Sequence, residues 1–159
     1  MADKGIASLS ASVFMDDIRS GIRGNCIYGP KDANDKWLFA EVSVSNSSSD
    51  LIADRDYLGT TDTTVVADDD VAWIAIKNTS TTTTDGIAIR TDGGTPAHNT
   101  AGNIYLGSGE MVVLKTYATP LASIHAISVT MDGTYGYPNN THSGSVTCQV
   151  AAIVDDGGV

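Results

Sequence analysis

Basic residues are scarce in this chain: nine Lys and Arg stand against 19 Asp and Glu, for a formal charge of −10. Binding a nucleic-acid backbone takes clustered cations that displace its counterions, and the nine here are scattered, so no nucleic-acid partner is expected. Glutamate is scarcer still. Only Glu41 and Glu110 occur, and acid supplied almost wholly as Asp suits turns better than helix faces. Nothing approaches the ~18 consecutive apolar residues of a membrane span, so no membrane partner is expected either. The first 21 residues have no basic region leading into a continuous apolar core, as a secretory signal would, and the expectation is a product made in a cytoplasm. The sequons at Asn46, Asn78 and Asn139 would then not meet the glycosylating enzyme. Cysteine is limited to Cys26 and Cys148, too few for a disulfide scaffold and not a CxxC pair. Cys148 falls on the apolar side of an alternating segment, where a buried free thiol is expected.

What the chain does have is turn formers and β formers. It contains 16 glycines, abundant Thr and Ser, and 42% hydrophobic residues, a mixture that disfavours long helices and favours strands joined by turns. Its 159 residues are enough to bury a core of their own.

From Lys36 the apolar pattern has period two. Leu38, Ala40, Val42 and Val44 alternate with Trp37, Phe39, Glu41 and Ser43, the mark of a half-buried strand. Val71–Lys77 is apolar on both faces, as in a central strand or one whose outer face is covered. Gly86–Thr91 and Ala122–Met131 read as further strands. In Asn103–Thr116, NIYLGSGEMVVLKT, the segment Gly107-Ser108-Gly109 reads as the three-residue connection of a β-hairpin. Val146, Cys148, Val150, Ala152 and Val154 share one face of the last strand. About eight short strands joined by turn-rich loops predict an all-β protein, an antiparallel β-sandwich or jelly roll.

Residues 1–25 differ and are read as a separate N-terminal arm or helix, with 26–159 as the sandwich domain. Ser12 is placed to cap a helical turn or two, Phe14 and Ile18 lie four apart on one face, and Gly21 ends it.

The chemistry expected of an enzyme is missing. There is no GxSxG elbow and no phosphate loop. His98, His125 and His142 stand apart without metal-ligand spacing, and His125, between apolar residues of a strand, reads as a hydrogen-bonded structural histidine. The run Asp68-Asp69-Asp70 lacks the alternation of a calcium loop and reads as a solvated turn. No catalytic residue, metal or cofactor is nominated. Tyr135, Tyr137, Asn139 and Asn140, in the loop GTYGYPNNT, form the best ligand-contact candidate, since exposed aromatics beside amides suit sugar binding.

The elements IYLGSGEMVVLKT, IHAISVT and a closing strand ending in AAIVDDG, over residues 71–156, resemble those of small phage virion structural proteins of the capsid decoration, or cement, type. The resemblance implies a non-enzymatic protein of the virion, assembled in the host cytoplasm, that bridges major capsid protein subunits. It also implies a homo-oligomer, typically a trimer, with an N-terminal segment touching the shell. The docking candidates in that segment are Ser12, Val13, Phe14, Ile18, Arg19 and Arg23. The alternative is a carbohydrate- or receptor-binding module of a phage fibre, spike or tail, using the Tyr135–Thr141 loop.

Overall fold

A computed structural model describes residues 5–15, 18–31, 34–52, 58, 65–66, 69–134 and 136–155; for residues 5, 9–15, 18–22, 117 and 118 the backbone alone is described. The chain divides into two units, Met1–Ala33 and Asn34–Val159.

The first unit is a β-hairpin. Strands β1 (Gly5–Met15) and β2 (Ile18–Tyr28) pair antiparallel without a break, from Gly5↔Tyr28 to Met15↔Ile18. The helical turn expected over Ser12–Ser20 is therefore corrected: Ser12 pairs with Gly21 and Phe14 with Arg19, in strands. The reason lies in the sequence. Ala7, Leu9, Ala11 and Val13 alternate with Ser8, Ser10 and Ser12, a period of two that outweighs the single Phe14 and Ile18 spacing of four. Residues 16 and 17, which join the strands, lie outside the described residues.

The second unit is the all-β, antiparallel sandwich that the sequence predicts. One sheet has four strands in the order β3 (Asp35–Val44), β11 (Val146–Asp155), β5 (Asp70–Asn78), β8 (Met111–Pro120). The other runs β10 (Pro138–Thr141), β9 (His125–Met131), β6 (Asp85–Arg90), β7 (Ile104–Leu106), with the two-residue β4 (Ser49–Asp50) also on β9. Its only other regular element is a single 3-10 turn at Leu121–Ser123, among the described residues.

The core is the seam between the two sheets. Leu38, Val42 and Val44 of β3, Ile74 and Ile76 of β5, and Cys148, Val150 and Ala152 of β11 meet Ile87 and Ile89 of β6, Leu106 of β7 and Ala126 of β9. Each fully buried Ile, Leu or Val contributes about 1.5–3 kcal/mol over an exposed one. A second, smaller cluster of Ala88, Ile127, Val129 and Met131 lies on the outer side of the five-stranded sheet, with Tyr105 packed against it. The loop after β6 folds back over this side, since the Tyr105 hydroxyl lies 3.3–3.4 Å from the carbonyl oxygens of Ala97, His98 and Thr100.

The Gly107-Ser108-Gly109 segment is not a hairpin turn. β7 pairs with β6 in one sheet while β8 pairs with β5 in the other, so the segment is an arch carrying the chain across the sandwich. Leu106, Val112 and Leu114 all face the same core from opposite sheets, and that inward demand from both sides decides against local pairing. Gly109 takes φ +74°, a left-handed conformation suited to glycine. The Glu110 carboxylate accepts the Gly107 N–H at 2.7 Å, and the Glu110 N–H donates to the Gly107 carbonyl at 3.1 Å.

Candidate functional site

The hairpin brings the docking candidates to one end of a two-stranded ribbon. Val13 pairs with Ser20, Phe14 with Arg19, and Ile18 with Met15, all beside the turn, while Arg23 pairs with Ser10 nearer the middle. Arg23 is exposed. At the other end Ile6 and Ile27 sit directly opposite one another and are 65% and 60% exposed.

Charge separates the units as well. Residues 1–33 hold four basic and four acidic residues, and residues 34–159 hold five and fifteen, so the whole formal charge of −10 resides on the sandwich.

The second candidate lies at a sheet edge rather than in a loop. Pro138–Thr141 forms β10, which pairs with β9 through Pro138↔Met131 and Asn140↔Thr130 with an irregularity between them. The turn before it is closed by the Asp132 N–H donating to the Tyr137 carbonyl at 2.6 Å and the Gly136 N–H donating to the Asp132 carbonyl at 2.9 Å. Tyr137 stands 72% exposed, with Asn139 and Asn140 exposed beside it. Tyr135 lies outside the described residues.

The histidines hold strands and loops together. His125 has Nε2 3.0 Å from Asp50 and Nδ1 3.1 Å from the Gly94 carbonyl oxygen, tying β9 to β4 and to the loop after β6. His142 Nε2 lies 3.3 Å from Asp85, whose other oxygen accepts the Ser80 hydroxyl at 2.7 Å. This Ser–Asp–His chain has its carboxylate in the middle, so the serine hydroxyl faces an acid and not the imidazole that would deprotonate it for attack. Around it Glu41, Thr79, Thr81, Asp85 and Thr147 line an open polar groove of 410 Å³.

The reading of Asp68–Asp70 as a solvated turn is corrected at Asp69. It is 1% exposed, its carboxylate accepts the Val66 N–H at 3.0 Å, and its carbonyl accepts the Leu121 N–H at 2.8 Å. A buried acid is retained where it satisfies backbone donors. Asp68 lies outside the described residues. Among the described residues no group of three or more His, Cys, Asp or Glu is placed to hold a metal.

Among the described residues Cys148, Asp92 and Arg90 titrate away from their ordinary values. Burial pushes the Cys148 thiol up to about 12, because the charged thiolate is disfavoured inside the core. Arg90 holds the Asp92 carboxyl well below the usual range, helped by the Gly94 N–H, and the two side chains form a bidentate ion pair. No protein family, curated protein or solved structure matches this chain.

Proposed function

We propose that this chain is a non-enzymatic structural protein of a phage virion, decorating and stabilising the capsid by bridging major capsid protein subunits through its N-terminal hairpin. The hairpin itself carries the reading. A two-stranded ribbon is marginally stable alone in water and gains independent stability from a third strand or a packed face. Here eleven pairs run with no third strand among the described residues. Ile6 and Ile27, paired opposite one another at its open end, are both exposed. Such an element is completed by what it binds. An extended ribbon supplies strand edges for pairing, the means by which a strand joins another protein's sheet. The sandwich it is attached to needs no cofactor for this role, and its acidity keeps copies soluble before assembly.

The experiment is co-sedimentation of the full-length protein with capsids of its own phage, alongside peptide mass spectrometry of purified virions. The protein should be present in virions and bind capsids, and Ile6→Asp with Ile27→Asp should weaken binding at least tenfold. Absence from every particle overturns the reading. A second reading, a carbohydrate- or receptor-binding module, is favoured by the exposure of Tyr137 beside Asn139 and Asn140. It predicts the reverse, loss of ligand binding in Tyr137→Ala and none in the isoleucine variant.

A further inference from the structure

Residues 79–84, between β5 and β6, read Thr-Ser-Thr-Thr-Thr-Thr and hold no apolar anchor. The start of this run is nevertheless pinned from three sides. The Thr79 N–H and hydroxyl both donate to the Thr147 carbonyl, at 3.0 and 2.8 Å. The Ser80 N–H donates to the Asn78 side-chain oxygen at 2.9 Å, and the Ser80 carbonyl accepts the Ser108 hydroxyl of the arch at 2.7 Å. These bonds fix one side of the 410 Å³ groove, which also runs along Glu41 and Thr147. Those two are diagonal neighbours on the outer face of β3 and β11, since Glu41 pairs with Gln149 and Ser43 with Thr147.

What the groove offers is acceptors. Glu41 is exposed, and its carboxylate has no hydrogen-bond or ion-pair partner among the described residues. Asp85 accepts the Ser80 hydroxyl on one oxygen and faces His142 Nε2 with the other, which leaves each oxygen a lone pair. The Gly144 N–H donates to His142 Nδ1 at 3.0 Å, so the neutral ring carries its proton on Nε2, toward Asp85. The Thr79 hydroxyl proton is used on the Thr147 carbonyl, and that oxygen too meets a ligand as an acceptor. No Lys or Arg among the described residues lines the groove.

We propose that this groove binds a neutral saccharide, whose hydroxyls donate to Glu41, Asp85 and Thr79. The chemistry selects the class. A phosphate or an acidic glycan would bring negative charge to two carboxylates with no cation to meet it, and an apolar ligand would leave the acceptors dry and unpaired. A metal ion lacks its donors, because among the described residues no group of three or more His, Cys, Asp or Glu is placed to hold one. A neutral ligand rich in O–H donors fits. The volume lies within the range of about 300–1,000 Å³ that small-molecule sites occupy. Tyr137, Asn139 and Asn140 do not line this groove, so it is a different place from the β10 edge. It also belongs to the sandwich alone, and its binding is independent of what the hairpin docks on.

Proton–nitrogen correlation NMR of the full-length chain, titrated into the millimolar range with maltose, cellobiose, lactose and diacetylchitobiose, is the test. At least one of these should shift the amides of Thr79, Ser80, Asp85 and Thr147 saturably. Glu41→Ala, at an exposed position, should weaken that binding about tenfold, the loss expected when a charged acceptor is removed. Thr147→Arg, which fills the groove with a cation, should abolish it, and Glu41→Ala decides alone if the arginine variant fails to fold. A panel in which no saccharide moves these amides overturns the proposal. So do shifts confined to Asn139, Asn140 and Thr141, or binding that both substitutions leave unchanged. Calcium chloride or spermidine moving the groove amides where no saccharide does also overturns it, and assigns the groove to a cation.

Discussion

The side-chain amide of Asn78, at the end of β5, donates to the carbonyl oxygen of Leu106, at the end of β7, across 3.3 Å of sandwich interior. The same amide donates to the Asp85 carbonyl at 3.0 Å, and the Asn78 N–H donates to the Glu110 carbonyl at 3.0 Å. One fully buried residue thus stitches a strand of the first sheet to two strands of the second and to the arch between them. Asn78→Leu removes the amide's bonds to the Leu106 and Asp85 carbonyl oxygens and its acceptance of the Ser80 N–H, at a cost of about 3 kcal/mol. Urea denaturation should show this as a lowered midpoint with an unchanged slope. Asn78→Asp should be at least as damaging, because it turns an acid toward the same two carbonyl oxygens.

The arch sets a second expectation. A Cβ at Gly109 meets nothing within 4 Å, yet the residue sits at φ +74°. The cost of Gly109→Ala is then purely conformational, about 1 kcal/mol, and Gly109→Asn should cost less because Asn tolerates this region. Thermal unfolding of the two variants separates strain from crowding: crowding makes the bulkier Asn the worse of the two.

Cys148 and Cys26 should part company toward thiol reagents. Cys148 is fully buried with its thiol pushed up to about 12, while Cys26 is half-buried. Alkylation of the native protein should therefore spare Cys148, which reacts only on unfolding. The raised value also fixes a sign. The folded state holds the Cys148 proton more tightly than the unfolded chain, so this stabilisation is complete below the ordinary thiol value of 9.0 and is lost as pH rises toward 12. Cys148→Val should flatten that alkaline decline relative to wild type in denaturation curves at successive pH values.

At the acid end the sign reverses for Asp92. Its folded carboxyl lies below the ordinary value, so its contribution is present above the usual carboxylate range and disappears as pH falls through its lowered value. The pair with Arg90 is exposed on the Asp side and so is screened by salt. Carboxyl chemical shifts followed by NMR should show Asp92 still ionised where exposed carboxylates have protonated, and Arg90→Gln should restore ordinary titration.

Local periodicity carried the fold class, while pairing at a distance had no trace in it. The alternation at Leu38–Val44 and at Val146–Val154 marks β3 and β11 directly, and Val71–Lys77 is apolar on both faces because its outward Trp73 is buried beside Trp37 and Ile153. Nothing local says that Leu106 and Met111 belong to different sheets, since Gly107-Ser108-Gly109 has the residues of either a hairpin or an arch. That choice is made by Ile76, Ile87 and Leu106 competing for one core. The hairpin is legible too: Ser8, Ser10 and Ser12 between Ala7, Leu9, Ala11 and Val13 is a strand alternation, and the four-residue spacing between Phe14 and Ile18 is weak beside it. The shallow pocket lined by Phe39, Ala75, Met111 and Ala151 needs the register. Ala75 and Ala151 are small residues far apart in sequence, and only pairing through β11 places them side by side.

β11 runs between β3 and β5, and that gives synthesis a timetable. β11 is made after the other three strands of its sheet and must slot into the middle, so β3 waits unpaired, and β5 paired only with β8, until residue 155 is free. The hairpin, pairing only with itself, is complete once Tyr28 has emerged. A chain stalled or clipped before β11 thus exposes the two open strand edges of β3 and β5 rather than a weakened sandwich.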